Sequence, residues 1–103
     1  MARDANYFIS AVRHTNGLKT HIAYVRRHIV YDDNAFNHNR YDDISRLAVV
    51  TDLKSNVYMT VYLKNGQWTR GSRIHHVHEY GKDYLSTNPN ETTRDNLDEL
   101  PTF

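Results

Sequence analysis

Two Asn-Gly dipeptides, Asn16-Gly17 and Asn65-Gly66, each stand between runs rich in β-branched and aromatic residues. Few short signals restrict a fold more. Both residue types tolerate the positive φ that a type I′ turn demands, so each pair predicts an antiparallel hairpin. The first joins Tyr7–His14 to Leu18–His28, where Leu18, Thr20, Ile22 and Tyr24 share one parity. That is the pattern of a half-buried strand. The second joins Val57–Leu63 to Gln67–Arg70. Val57, Met59, Val61 and Leu63 alternate with Tyr58, Thr60 and Tyr62, which makes this the clearest strand of the chain. Gly71-Ser72 predicts a bulge or bend, Arg73–Tyr80 a further strand, and Gly81-Lys82 a turn into Asp83–Thr87.

One helix is predicted, over Asp43–Lys54. Asp42 or Asp43 supplies an N-cap carboxylate for free backbone N–H groups. Ile44, Leu47, Ala48 and Leu53 fall near one face, with Val50 close by. Lys54 lies in the last turn, where a cation meets the negative end of the helix dipole. The β-branched run Val49-Val50-Thr51 counts against it. Residues 28–42 are polar, Asn/Asp-rich and spotted with aromatics, and are predicted to be a long loop or insertion, either mobile or functional.

These parts predict a single α+β domain of 103 residues. Its sheet is expected to be antiparallel, with about five to six strands and the helix packed on one face. Leu97, Leu100 and Phe103 recur every third residue in an otherwise polar ending, so residues 88–103 are expected to form an ordered, irregular tail packed on the body. Burying three such side chains is worth roughly 1.5–3 kcal/mol each before entropy is charged.

The net charge of +1 hides an asymmetry. Over residues 1–82, twelve Lys/Arg stand against seven Asp/Glu, and over residues 83–103 one stands against five. A mildly basic body therefore carries an acidic tail, which weighs against nonspecific nucleic-acid binding. The chain has no cysteine, so disulfides, thiol chemistry and Cys-based zinc sites are excluded. With no signal segment in MARDANYFIS and no apolar run of the roughly 18–20 residues that span a bilayer, a cytoplasmic protein is expected, with no membrane partner.

The ending KDYLSTNPNETTRDNLDELPTF resembles that of the domain-of-unknown-function family DUF3892. The residues that carry the resemblance are Tyr84, Leu85, Thr87, Asp95, Asn96, Leu97, Leu100, Pro101 and Phe103. NGQWTRGSRIHHVHEYGKDYL is similar to the family's strand–turn–strand region, and FISAVRHTNGLKTHIAYV to its opening hairpin. Asp98 stands where the family usually has Gly, Ser86 where it often has Arg, and Asn88 where it often has Asp. The resemblance implies a bacterial or phage protein with a compact fold and an ordered tail, and it implies no activity.

Chemistry-bearing residues are scattered. IHHVHE places His76 and His78 on one strand face, a weak metal-ligand pair that needs a third ligand, for which His14 and His21 are candidates. There is no nucleophile elbow, no phosphate-cradling loop and no paired-carboxylate signature, so no catalysis and no cofactor is expected. Arg70, Arg73 and Lys82 cluster in sequence near Tyr58, Tyr62, Trp68 and His75, while Arg26-Arg27 and Arg40-Tyr41 flank the long loop. Guanidinium forks suit phosphate and aromatic faces suit bases. The candidate ligand-binding set is therefore Arg70, Arg73, Tyr58, Tyr62, Trp68 and His75. The expected function is non-catalytic binding of an anionic, nucleotide-like molecule or a host protein, in a phage or mobile-element setting. The alternative is a homo-oligomeric interaction module that presents Tyr58, Thr60 and Tyr62 on an exposed strand face. The bland reading of the same residues is a solvated face on which Tyr and Arg stack.

Overall fold

The computed structural model describes residues 4–15, 18–31, 33–79, 81–87 and 100–103. In chain order these hold β1 (Tyr7–Thr15), β2 (Leu18–Ile29), β3 (Asp42–Ser45), α1 (Arg46–Asp52), β4 (Tyr58–Lys64), β5 (Gln67–Arg73), β6 (His75–Glu79) and β7 (Lys82–Ser86). Five strands make one sheet in the order β3-β2-β1-β4-β5, and β6 and β7 make a separate two-stranded sheet.

Both predicted hairpins form. β1 and β2 pair antiparallel, with Phe8 opposite His28 and Val12 opposite Val25, although the turn residues Asn16 and Gly17 themselves lie outside the described residues. β4 and β5 turn at Asn65-Gly66, whose φ angles of 54° and 77° give the two positive values of a type I′ turn. A register shift opposite Thr60 marks the bulge at Gly71-Ser72.

The sheet is mixed rather than antiparallel throughout. β1 and β4 run parallel, pairing Tyr7 with Tyr58 and Ile9 with Thr60. The two hairpins therefore join side by side, each entering the seam through its first strand.

The predicted helix is shorter and starts later. Asp42 and Asp43 belong to β3, opposite Arg27 and Arg26 of β2. Their carboxylates pair with those guanidiniums at 3.3 and 3.1 Å, and opposite charges across a ladder favour strand pairing over capping. The N-cap is instead Ser45, whose hydroxyl accepts from the Ala48 N–H at 3.2 Å. Starting there turns Val49 and Val50 inward; of the expected face, Ile44 and Leu53 pack against the core beside Val50, while Ala48 is exposed and Leu47 is 62 % exposed. The predicted 28–42 loop is likewise bounded by strands: β2 runs to Ile29 and β3 begins at Asp42.

Consecutive β1 residues point to opposite sides of the sheet, and both sides are covered. On one side Ile9, Val12, Val25 and Tyr58 pack with Val49 and Val50 of α1, Ile74, Leu85 of β7 and Leu100. On the other, Ala5, Phe8, Val30 and Val61 pack with Phe36, which the β2–β3 connection folds over the sheet. The first half of β4 is thus buried on both faces. Tyr58 and Thr60 are 0 % exposed, against the expectation of an open tyrosine face, and of that set only Tyr62 reaches solvent.

The predicted Arg73–Tyr80 strand is split at Ile74. This buried residue donates its N–H to the Tyr58 carbonyl at 2.8 Å, and the chain then leaves the main sheet for the β6–β7 hairpin.

Of the predicted tail, residues 88–99 lie outside the described residues, among them Asp95, Asn96 and Leu97. The last four residues lie along β1, on the edge that β4 occupies further down. Val12 donates to the Pro101 carbonyl at 2.9 Å and accepts from the Phe103 N–H at 3.0 Å. Leu100 is buried in the first core cluster, and the Arg13 and Arg26 guanidiniums lie 5.0 and 4.4 Å from the Phe103 ring centre.

Candidate functional site: a crevice where two parallel strands part

β1 and β4 pair only from Tyr7/Tyr58 to Ile9/Thr60. Beyond that point β1 continues in its pairing with β2 and β4 in its pairing with β5, and the edge of β1 that β4 leaves meets Pro101–Phe103 at Val12. Adjacent parallel strands whose onward connections leave in opposite directions open a crevice at their carboxyl ends, a recurrent place for ligands in open sheets. Here it is a cavity of about 570 Å³. Ser10 of β1 lies at its wall beside Tyr62 and Leu63 of β4. Trp68, Gly71 and Ser72 of β5 form the opposite wall, and Leu100 and Pro101 close one end.

Two backbone irregularities shape it. Ile9 faces Arg27 and Ala11 faces Arg26, so Ser10 is the extra residue of a β-bulge. Bulges re-aim side chains and recur beside binding sites. The second is at Gly71-Ser72, where the Ser72 N–H donates to Thr60 Oγ1 at 3.0 Å. A Cβ on Gly71 would run into Thr60 Oγ1 and come within 3.3 Å of the Thr60 carbonyl oxygen, so only glycine fits.

The most buried polar side chain of the crevice is Ser10, whose hydroxyl lies 2.7 Å from His28 Nε2. The other ring nitrogen of His28 lies 3.1 Å from the Arg40 carbonyl and 3.3 Å from that of Asn37. Carbonyls only accept, so Nδ1 carries the proton, and Nε2 accepts from Ser10. Burial pushes the imidazole below its ordinary pKa, with nearby Arg26 and His38 adding to this, against the raising effect of the two carbonyls. His28 is therefore neutral near pH 7. The Ser10 proton is committed to it, and the hydroxyl oxygen keeps its acceptor capacity toward the crevice.

The six residues expected to bind ligand do not converge. Tyr62 and Trp68 line the crevice, each 38 % exposed, and Trp68 also stacks edge-on against Phe36 with ring centres 5.4 Å apart. Tyr58 is sealed in the core, where its hydroxyl donates to Asp52 at 2.5 Å, so it cannot stack on a ligand. Arg70 is held by the Asp4 carboxylate. Arg73 and His75 border a different hollow, beside α1, with His76. Arg27 and Arg40 border a third, of about 430 Å³, but Arg27 gives one amino group to Asp42 and another to the Tyr58 hydroxyl. Sequence reasoning missed Ser10 and His28. Neither carries a local signal: the bulge exists only through pairing, and the pair meets only across the β1–β2 hairpin.

The family model of a protein of unknown function, DUF3892, matches residues 8–101. The chain belongs to this family. The match extends from Phe8, in the second core cluster, to Pro101 at the mouth of the crevice, so the DUF3892 unit spans every strand that builds the site. No curated protein and no solved structure matches the chain. Among the described residues, no helix is long and apolar enough to cross a membrane.

Proposed function

We propose that the protein is a non-catalytic binding protein whose ligand is a small, largely apolar, planar molecule held in the β1–β4 crevice. One observation carries this reading. The nearly buried Ser10 hydroxyl, with its proton given to His28, borders a cavity whose walls are mostly apolar, formed by Leu63, Trp68, Leu100 and Pro101 together with Tyr62, Gly71 and Ser72. Concave, mostly apolar sites with a few placed polar groups are the usual form of small-molecule pockets. A ligand with one hydrogen-bond donor on an aromatic body satisfies both features. An anionic nucleotide is favoured less, because Arg70 is engaged by Asp4 and Arg73 lies at another hollow. We read the cytoplasm as the compartment, in keeping with a cysteine-free chain.

Trp68 is the only tryptophan, so its fluorescence reports the crevice directly. Indole and p-cresol should shift its emission and raise the melting temperature by mass action, and Tyr62→Ala should weaken both effects. Adenosine monophosphate should do neither. Stabilisation by the nucleotide with no response to the aromatic probes overturns the reading.

A second reading, a homo-oligomeric interaction module, is favoured by Tyr24, Ile29, Tyr31 and Tyr41, which stand 46–58 % exposed on and around β2. Light scattering tests it: a monomeric mass at high concentration removes it.

A further inference from the structure

We infer that His76, His78 and Asp83 form a binding site for a divalent transition-metal ion on the β6–β7 hairpin, independent of the crevice. His76 and His78 share one face of β6, two residues apart. Asp83 stands directly opposite His78 on β7, diagonal to His76 and on the same face. The three side chains already converge. His76 Nε2 and His78 Nδ1 lie 2.6 and 2.7 Å from the same Asp83 oxygen, Oδ1, and the three donor atoms lie within 4.8 Å of one another.

The frame is fixed from three directions. A tight turn with Gly81 at φ 73° sets the register of the hairpin. Leu85, on the same face as Asp83, is fully buried in the core. The Arg46 guanidinium of α1 donates to the Asp83 main-chain carbonyl at 3.1 Å, holding β7 where the carboxylate leaves it.

A metal bonded to imidazole nitrogen and carboxylate oxygen at roughly 2.0–2.2 Å holds its donors a little over 3 Å apart. The two His–Asp spacings must therefore open by less than about 1 Å, and the two imidazole nitrogens, no more than 4.8 Å apart, must come to a similar separation, adjustments that side-chain rotation supplies. Two imidazoles and one carboxylate suit Zn²⁺, Ni²⁺ or Co²⁺ rather than Ca²⁺ or Mg²⁺, which take oxygen ligands. Three protein ligands leave at least one position for water or an incoming group, the arrangement of an open rather than a structural site. The third ligand differs from the sequence expectation, which looked to the first hairpin. It comes from the neighbouring strand, five residues after His78.

Titration of the intact protein with Zn²⁺ and with Co²⁺ tests this. The expected result is saturable binding of one ion per chain, a rise in melting temperature, and Co²⁺ absorption bands of a low-coordinate site. His78 is 63 % and Asp83 34 % exposed at the side chain, so substitution there leaves the core intact, which circular dichroism checks. His78→Ala and Asp83→Asn should each weaken binding by at least about tenfold. His75→Ala and His14→Ala should leave it unchanged. Absence of saturable binding overturns the site. So does binding that survives the double substitution of His76 and His78. An unchanged affinity in Asp83→Asn reduces it to a simple histidine pair and equally overturns the three-ligand site.

Discussion

Ser10 and His28 meet across the first hairpin without facing each other in the ladder: His28 is paired with Phe8, and the Ser10 bulge turns a hydroxyl onto its ring at 2.7 Å. This contact gives the fold a titratable group that must stay neutral. The folded pKa of His28 is depressed from the ordinary 6.5 by burial. Below that value the unfolded chain takes up a proton that the folded chain refuses. Its contribution is therefore fully present above about pH 6.5 and is lost as pH falls toward the lower folded value. The His28 ring protons should titrate with a midpoint below 6.5 in NMR spectra. A midpoint at or above the ordinary value removes the neutral-acceptor assignment.

Tyr58 is held from two sides. Its hydroxyl donates to Asp52 at 2.5 Å and accepts from Arg27 at 3.3 Å, and Asn56 fixes the other Asp52 oxygen at 2.7 Å. Tyr58→Phe strands part of that buried charge network and should cost about 1.5–3 kcal/mol in denaturant unfolding. Burial, with the Asp52 carboxylate behind it, also raises the phenol well above its ordinary pKa. In an alkaline titration followed by tyrosinate absorbance, one tyrosine should resist ionisation until the fold opens.

Gly71→Ala drives a methyl into Thr60 Oγ1 and breaks the 3.0 Å bond from Ser72. Overpacking of this kind typically costs about 1–3 kcal/mol. Thr60→Ala in the same chain removes the colliding oxygen, so the double variant should be less destabilised than the two single losses summed. Strict additivity in chemical denaturation counts against the close approach.

Leu100→Ala should lower stability by about 2–3 kcal/mol, since its side chain is buried in the main core cluster. Thr102→Ala, at an exposed position on the same segment, should change it by less than about 0.5 kcal/mol. Equal effects at the two positions would show that the segment does not dock through Leu100.

The hairpins were legible because their determinants are local: Asn65-Gly66 dictates a turn, and Gly71-Ser72 marks a bulge. β3 was not, because Asp42-Asp43 has the chemistry of a helix cap and becomes a strand only when Arg26 and Arg27 stand opposite. The exposed-tyrosine expectation failed for a related reason. Alternation along Val57–Leu63 identifies a strand with two kinds of face, but not that Phe36 covers one and Val49 and Val50 the other. The parallel β1–β4 seam has no sequence signature of its own, and the crevice and the Ser10–His28 pair follow from it. His76 and His78 were visible as a pair; Asp83 joined them only once the β6–β7 register was known.

The seam also sets a schedule for assembly. Each hairpin closes over a short span, whereas Asn6 and Val57, bonded at its start, are 51 residues apart. Contacts of such separation are slow to form, because loop closure must precede any gain from them. The crevice is thus expected to form after the hairpins that flank it. Stopped-flow refolding should show Trp68 emission trailing the far-ultraviolet signal, and a crevice ligand would recognise only chains that have completed their final docking.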